Sequence, residues 1–147
     1  MKVSVAWVGK TKEPAIQALT DEYLKRTSRY AEIEGFALKD ETGLAALMSG
    51  ARNRPKHFLV LLDSRGKQFS SEELAEFLRQ RQESSSQPLV FAIGGADGFS
   101  VETRKSAGFI LSLGKITLPH ELARVVLLEQ IYRAYTILAG HPYHSGH

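Results

Sequence analysis

Pro88 to Gly98, PLVFAIGGADG, is the stretch whose reading decides the fold. An uncharged run passes straight into paired glycines, and a further glycine, Gly98, closes the segment. Continuous rather than alternating apolarity marks a strand covered on both faces, the habit of parallel sheets inside α/β layers. His57 to Asp63, HFLVLLD, has the same character and stops at the turn-like Ser64-Arg65-Gly66.

Working outward, the flanking segments alternate between strand and helix signals. Lys2 to Val8 alternates and is rich in valine, a strand ended by Gly9. From Pro14 to about Arg29, Ile16, Leu19, Tyr23 and Thr27 recur at helical spacing, with proline early and basic residues late. Glu32 to Leu38 reads as a strand and Thr42 to Ala51 as a short helix. Ser70 with Glu73 forms a capping box opening a helix through about Gln82. Ser100 caps a helix over Val101 to Ala107, Phe109 to Leu113 is the last strand, and Lys115 to Pro119 is a loop. Glu121 to Ala139 is a long helix, apolar on most of its circumference and stopped by Gly140 and Pro142. The order βαβαβαβαβα predicts an α/β domain with a parallel or mostly parallel sheet flanked by helices, one domain over residues 1–147.

Chain-level properties narrow the function. At 147 residues, 43% hydrophobic and 24% charged, the chain is long enough for a core without metal or disulfide staples. There is no cysteine, which removes disulfides and thiolate metal sites. The opening apolar run is short and has no small-residue cleavage site, and no segment reaches a membrane span, so a soluble, cytoplasmic protein is expected. A net charge of +3 permits a polyanionic partner without demanding one.

Ligands of open α/β sheets bind beyond the carboxyl ends of the strands. Three such ends carry unusual residues here: Leu62-Asp63, Gly94 to Gly98, and Leu113 to Pro119. The glycine loop lacks both the G-x-G-x-x-G spacing and a following Gly-Lys-Ser/Thr, and Asp97 opposes a phosphate. It reads either as a plain tight turn or as a cradle for a phosphate-free ligand, neutral or cationic. The loop Leu113-Gly114-Lys115-Ile116-Thr117-Leu118-Pro119 is apolar enough to wall a flat ring, or is simply covered by the fold. The tail HPYHSGH, His141 to His147, has spaced histidines but no carboxylate or cysteine to complete a metal site. A disordered tail and an ordered one presenting Tyr143 and His144 to RNA both remain open. Glu129 and Arg133 are an i, i+4 pair, and charged groups on so apolar a helix, Arg124 among them, are expected at an interface or substrate rim.

These residues together, IGGADGF after a buried strand, LSLGKITLPHELARVVLLEQIYRAY and the terminal HPYH, closely resemble the bacterial large-subunit rRNA methyltransferase H family. That family is a minimal branch of the SPOUT (trefoil-knot) superfamily. The first strand ending in VGK and the LLDSRGK strand-loop extend the resemblance over the whole chain. It implies a C-terminal deep trefoil knot whose loops bind S-adenosyl-L-methionine, here at Leu62, Gly94, Leu113, Gly114, Lys115, Ile116, Thr117 and Leu118. It also implies methylation of N3 of a pseudouridine in a 23S rRNA stem-loop on the assembled ribosome, by a homodimer in which each site is completed by the partner's tail. Metal is not expected. His144 or His120 is the candidate base, Tyr143 stacks on the target, and Arg124 and Arg133 hold phosphate. One departure stands out: Ser145-Gly146-His147 follows the HPYH end, where relatives usually carry a basic residue. The alternatives are a knotted methyltransferase acting on tRNA and a non-catalytic RNA-binding module. Labelled donor offered to both RNAs separates the first, and calorimetry with the donor separates the second.

Overall fold

The computed structural model describes residues 1–49 and 56–145. Its elements are β1 (Lys2–Val8), α1 (Pro14–Thr27), β2 (Glu32–Leu38), α2 (Glu41–Ser49), β3 (Phe58–Gln68), α3 (Ser71–Ser84), β4 (Leu89–Ile93), α4 (Val101–Ser106), β5 (Phe109–Ser112) and α5 (His120–Leu138). A 3-10 turn at Pro142–His144 closes the description. The expected helix end at Ala51, and His147 in the tail, lie outside the described residues.

The strands form one sheet in the order β2-β1-β4-β3-β5, every pairing parallel. β4 lies in the middle and is buried along its whole length, as its unbroken apolarity requires. Its side chains alternate between two cores. Leu89, Phe91 and Ile93 join Val3, Val5 and Trp7 against the layer holding Leu78, Leu128 and Ile131 of α3 and α5. Val90 and Ala92 join Leu59 and Leu61 on the opposite face, against Leu44 of α2. The result is a three-layer α/β/α arrangement.

Two local features differ from the sequence reading. β3 does not end at Asp63: its pairing with β5 runs from Val60 to Leu62, breaks, and resumes at Lys67 and Gln68. Ser64-Arg65-Gly66 is therefore a bulge within the strand rather than its terminus. Gly66 permits the return, since a Cβ there would sit 2.5 Å from the carbonyl oxygen of Ile110. As far as Ser145, the tail, for which disorder remained open, folds back on α5.

The start of α3 matches its sequence signal. Ser70 accepts from the Glu73 amide at 3.0 Å, and the Glu73 carboxylate accepts from the Ser70 amide at 2.8 Å. Ser70→Ala is expected to lower stability by about 1 kcal/mol and Ser70→Gly by only a few tenths, read from urea midpoints.

Candidate functional site

β3, β4 and β5 all run the same way, so the loops after β4 and β5 open on one edge of the sheet and meet there the bulge that interrupts β3. Between the loops lies a cavity of about 250 Å³. Leu62 and Asp63 line it from β3, and Gly94, Gly95 and Gly98 from the loop after β4. Leu113, Gly114, Ile116, Thr117 and Leu118 line it from the loop after β5, with His120 and Ala123 from the first turn of α5. Lys115 is exposed and does not line it.

Two loops shape this cradle through their backbones. Gly98 donates its amide to the Gly95 carbonyl at 3.0 Å, making a tight turn with Gly98 at φ +71°. A Cβ on Gly94 would press 3.1 Å from the carbonyl carbon of Gly98, so any larger residue would push the turn open by a few tenths of an ångström. After β5, the Ser112 hydroxyl accepts from the Gly114 amide at 3.1 Å and donates to the Gly114 carbonyl at 3.0 Å. That clasp holds Gly114 at φ +126°, with open space where its side chain would be.

The electrostatics of the cavity separate ligand classes. Among the described residues no lysine or arginine lines it, so none of them neutralises a phosphate chain there. Its one acid, Asp63, hydrogen-bonds Arg65 at 3.2 Å through Nε and 2.8 Å through the amide, and pairs with Arg104 of α4. Arg65 first, and then Arg104, hold the Asp63 carboxyl down at about 2 against the opposing effect of burial. Because the folded value lies below the unfolded one, this stabilisation is complete above about pH 4 and is lost as pH falls toward 2. Stability measured from pH 5 to pH 2 is expected to lose about 2 kcal/mol by this route, and Asp63→Asn to remove that dependence.

The remaining candidate residues lie apart from the cavity. Arg124, expected at a rim, is only 1% exposed. Its guanidinium lies 4.2 Å from the Trp7 ring centroid and donates to the Thr11 hydroxyl, while its buried Nε has no hydrogen-bond partner. Burial pushes its pKa down. Together with the 2.6 Å bond from the Lys12 amide to Glu121, it ties the β1–α1 loop to the first turns of α5.

Arg133 and the tail form a second cluster two to three turns further along α5. Arg133 binds the Glu129 carboxylate through Nε at 2.9 Å and Nη2 at 2.6 Å, and lies 4.9 Å from the Tyr143 ring centroid. Tyr143 meets Tyr132 edge-on at 4.7 Å and donates to Glu129 at 3.1 Å. Burial, and then Glu129 and Tyr23, push its phenol up to about 12. His144 contacts Arg133 at 3.0 Å and Glu72 at 2.6 Å. Glu72 was not singled out from the sequence, because a residue beside a capping box carries no sign of a partner 72 positions away.

A family model described as "Predicted SPOUT methyltransferase" matches residues 1–144, so the chain belongs to the SPOUT methyltransferase class that its fold and strand-end cavity suggest. Its full-length relatives show the particular family. The chain is 59% identical to the Ribosomal RNA large subunit methyltransferase H of Koribacter versatilis (strain Ellin345), covering all of both chains. It is 45% identical to the protein of that name from Geobacter metallireducens, covering 98% of this chain and 99% of that one. It belongs to the ribosomal RNA large subunit methyltransferase H family. Among solved structures, it is similar to a probable methylase family protein from Haemophilus influenzae Rd KW20, with TM-score 0.59 and 11% identity over 98% of this chain and 70% of that one. The SpoU methyltransferase AviRb from Streptomyces viridochromogenes, solved with AdoMet, gives TM-score 0.54 and 14% identity over 90% of this chain and 57% of that one. At these identities the likeness shows the shared fold.

Proposed function

We propose that this protein transfers a methyl group from S-adenosyl-L-methionine to N3 of a pseudouridine in a 23S rRNA stem-loop on the assembled ribosome. The observation that carries the reading is the strand-end cavity: glycine-lined, largely uncharged and, among the described residues, free of lysine and arginine. Such a cradle suits an adenosyl sulfonium and not a nucleoside triphosphate. Leu62, Gly94 and Leu113 to Leu118 are the residues we assign to the donor, with Lys115 acting from the loop backbone. The bound donor supplies an electrophilic methyl group on a sulfonium, so attack by the base requires no covalent protein nucleophile.

The protein's own residues then have three tasks. The loops fix the donor so that the target nitrogen approaches in line, and orientation alone removes much of the barrier. The imide N–H must lose its proton, which a positioned base accelerates by roughly 10²–10⁴-fold. His120 at the cavity and His144 in the tail are the two candidates. RNA must also be held; Arg133 and Tyr143 are assigned to that task, and Arg124 to supporting the β1–α1 loop.

A homodimer is part of the proposal. Within one protomer, no described residue of the tail lines the cavity, which opens at the other end of α5. Ile116, which lines the cavity, is 82% exposed, and Leu122 in the first turn of α5 is 41% exposed. Two antiparallel α5 helices would cover these apolar residues and bring each tail to the partner's cavity. The C-terminal knot and a cytoplasmic location belong to the same reading. No helix among the described residues is long and apolar enough to cross a membrane.

The test offers labelled donor with ribosomes, free 23S rRNA and tRNA from a strain lacking the protein. Label is expected in 23S rRNA of ribosomes, mapping to N3 of a pseudouridine. Label in tRNA would move the substrate, and folded protein that ignores millimolar donor would end the enzyme reading.

A further inference from the structure

The hydrogen bonds around His144 run as a chain across α3, α5 and the tail, closed only by the backbone between Ser71 and Glu72. Ser71 donates to Gln130 Oε1 at 2.6 Å, and Gln130 Nε2 donates to Glu129 Oε2 at 2.8 Å. Glu129 Oε1 takes the Arg133 guanidinium, whose Nη1 reaches His144 Nδ1 at 3.0 Å. His144 Nε2 meets Glu72 Oε1 at 2.6 Å, and Glu72 adjoins Ser71, where the chain of bonds began.

The chemistry of these groups fixes the direction of every bond. A guanidinium has only donors, so His144 Nδ1 must present a lone pair to Arg133. The ring proton of the neutral imidazole then lies on Nε2, where the Glu72 carboxylate accepts it. In this arrangement His144 is neutral and in one tautomer, because a proton on Nδ1 would face an N–H of Arg133. We infer that Glu72 is a positioning residue for methyl transfer, fixing the ring orientation of His144 through Nε2, while Arg133 holds its tautomer from Nδ1. The inference rests on the reading above in which the tail works at a methyl-transfer site.

Glu72 is well placed for this task. It lies in the first turn of α3, whose capping box and Ser71–Gln130 bond hold it against α5. The helix terminus favours a carboxylate there, and the His144 contact holds the Glu72 carboxyl below its usual range. The charged and titratable groups facing the imidazole are Glu72 from α3, Arg133 and Glu129 from α5, and the neighbouring Tyr143. Only Glu72 accepts from Nε2. A carboxylate that orients a functional histidine through its second nitrogen commonly carries about 10–100-fold of the activity.

The test compares Glu72→Ala, Glu72→Gln and His144→Ala in the full-length protein, with ribosomes as substrate. Glu72→Ala is expected to lower kcat by about 10–100-fold, with donor affinity by calorimetry within about twofold of the parent. The ¹⁵N and ¹H signals of the His144 Nε2–H should lose the shift that marks its hydrogen bond to a carboxylate. Glu72→Gln retains an acceptor oxygen and should keep both a hydrogen-bonded Nε2–H and most of the turnover. Wild-type turnover by Glu72→Ala, or an unchanged Nε2–H signal in it, overturns the inference. If His144→Ala is inactive while Glu72→Ala is normal, only the role of Glu72 falls; if both are normal, the functional reading of the tail falls with it.

Discussion

Gly114→Val is expected to abolish S-adenosylmethionine binding while leaving a folded protein. Gly114 stands at φ +126°, where a β-branched residue is strained by about 1–3 kcal/mol. A Cβ there meets no atom within 4 Å, and Gly114 lines the cavity. The isopropyl group would therefore project into space assigned to the donor, or the loop would relax and break the Ser112 clasp. Either route removes the cradle, and donor affinity should fall by about a hundredfold or more, since about 2.7 kcal/mol of lost fit suffices. Gly9→Val is the control. Gly9 has φ +102° and equally open surroundings but does not line the cavity. Both variants should show a comparable drop in melting temperature, and only Gly114→Val should lose calorimetric heat with the donor. Matching donor affinities in the two variants would remove this loop from the donor site.

The sequence shows the layer architecture because each strand announces itself locally. β1 begins and ends where its valines and Gly9 place it, β2 spans the Glu32 to Leu38 read from the sequence, and the uncharged run of β4 requires its central position. The cavity was legible for the same reason: in a parallel sheet the strand ends must gather on one edge. What escaped depends on partners distant in sequence. β3 extends past Asp63 because Gly66 can approach the Ile110 carbonyl, which no local pattern shows. The Asp63–Arg104 pair spans 41 positions and the Arg124–Thr11 bond 113. For Arg124 a signal did exist. It shares the i, i+4, i+7 stripe with Leu128 and Ile131, both fully buried, so helical periodicity places it inward. Charge outweighed period in reading it as a rim residue. Arg133 lies on the other stripe, with Leu122, Val126 and Glu129, none of which is buried.

That second stripe is where loss of one side chain should cost the most activity. Arg133→Ala removes three contacts at once: the fork onto Glu129, the guanidinium beside the Tyr143 ring, and the donor to His144 Nδ1. Methyl transfer to ribosomes is expected to fall by about 10²–10⁴-fold, the range a misplaced base alone would produce. Donor affinity should stay close to the parent value, because neither Arg133 nor any described residue of the tail lines the cavity of its own chain. Stability should suffer little, about 1–2 kcal/mol, since Glu129 keeps hydrogen bonds from Tyr143 and Gln130 and is not left bare. Arg133→Lys is expected to recover little of the loss. A single ammonium cannot fork onto Glu129, lie against an aromatic ring and reach an imidazole together. His144→Ala should match the turnover defect with an even smaller effect on stability. Near-normal turnover in both Arg133→Ala and His144→Ala would assign the proton transfer to His120, the remaining imidazole at the cavity, and leave the folded tail a purely structural clasp on α5.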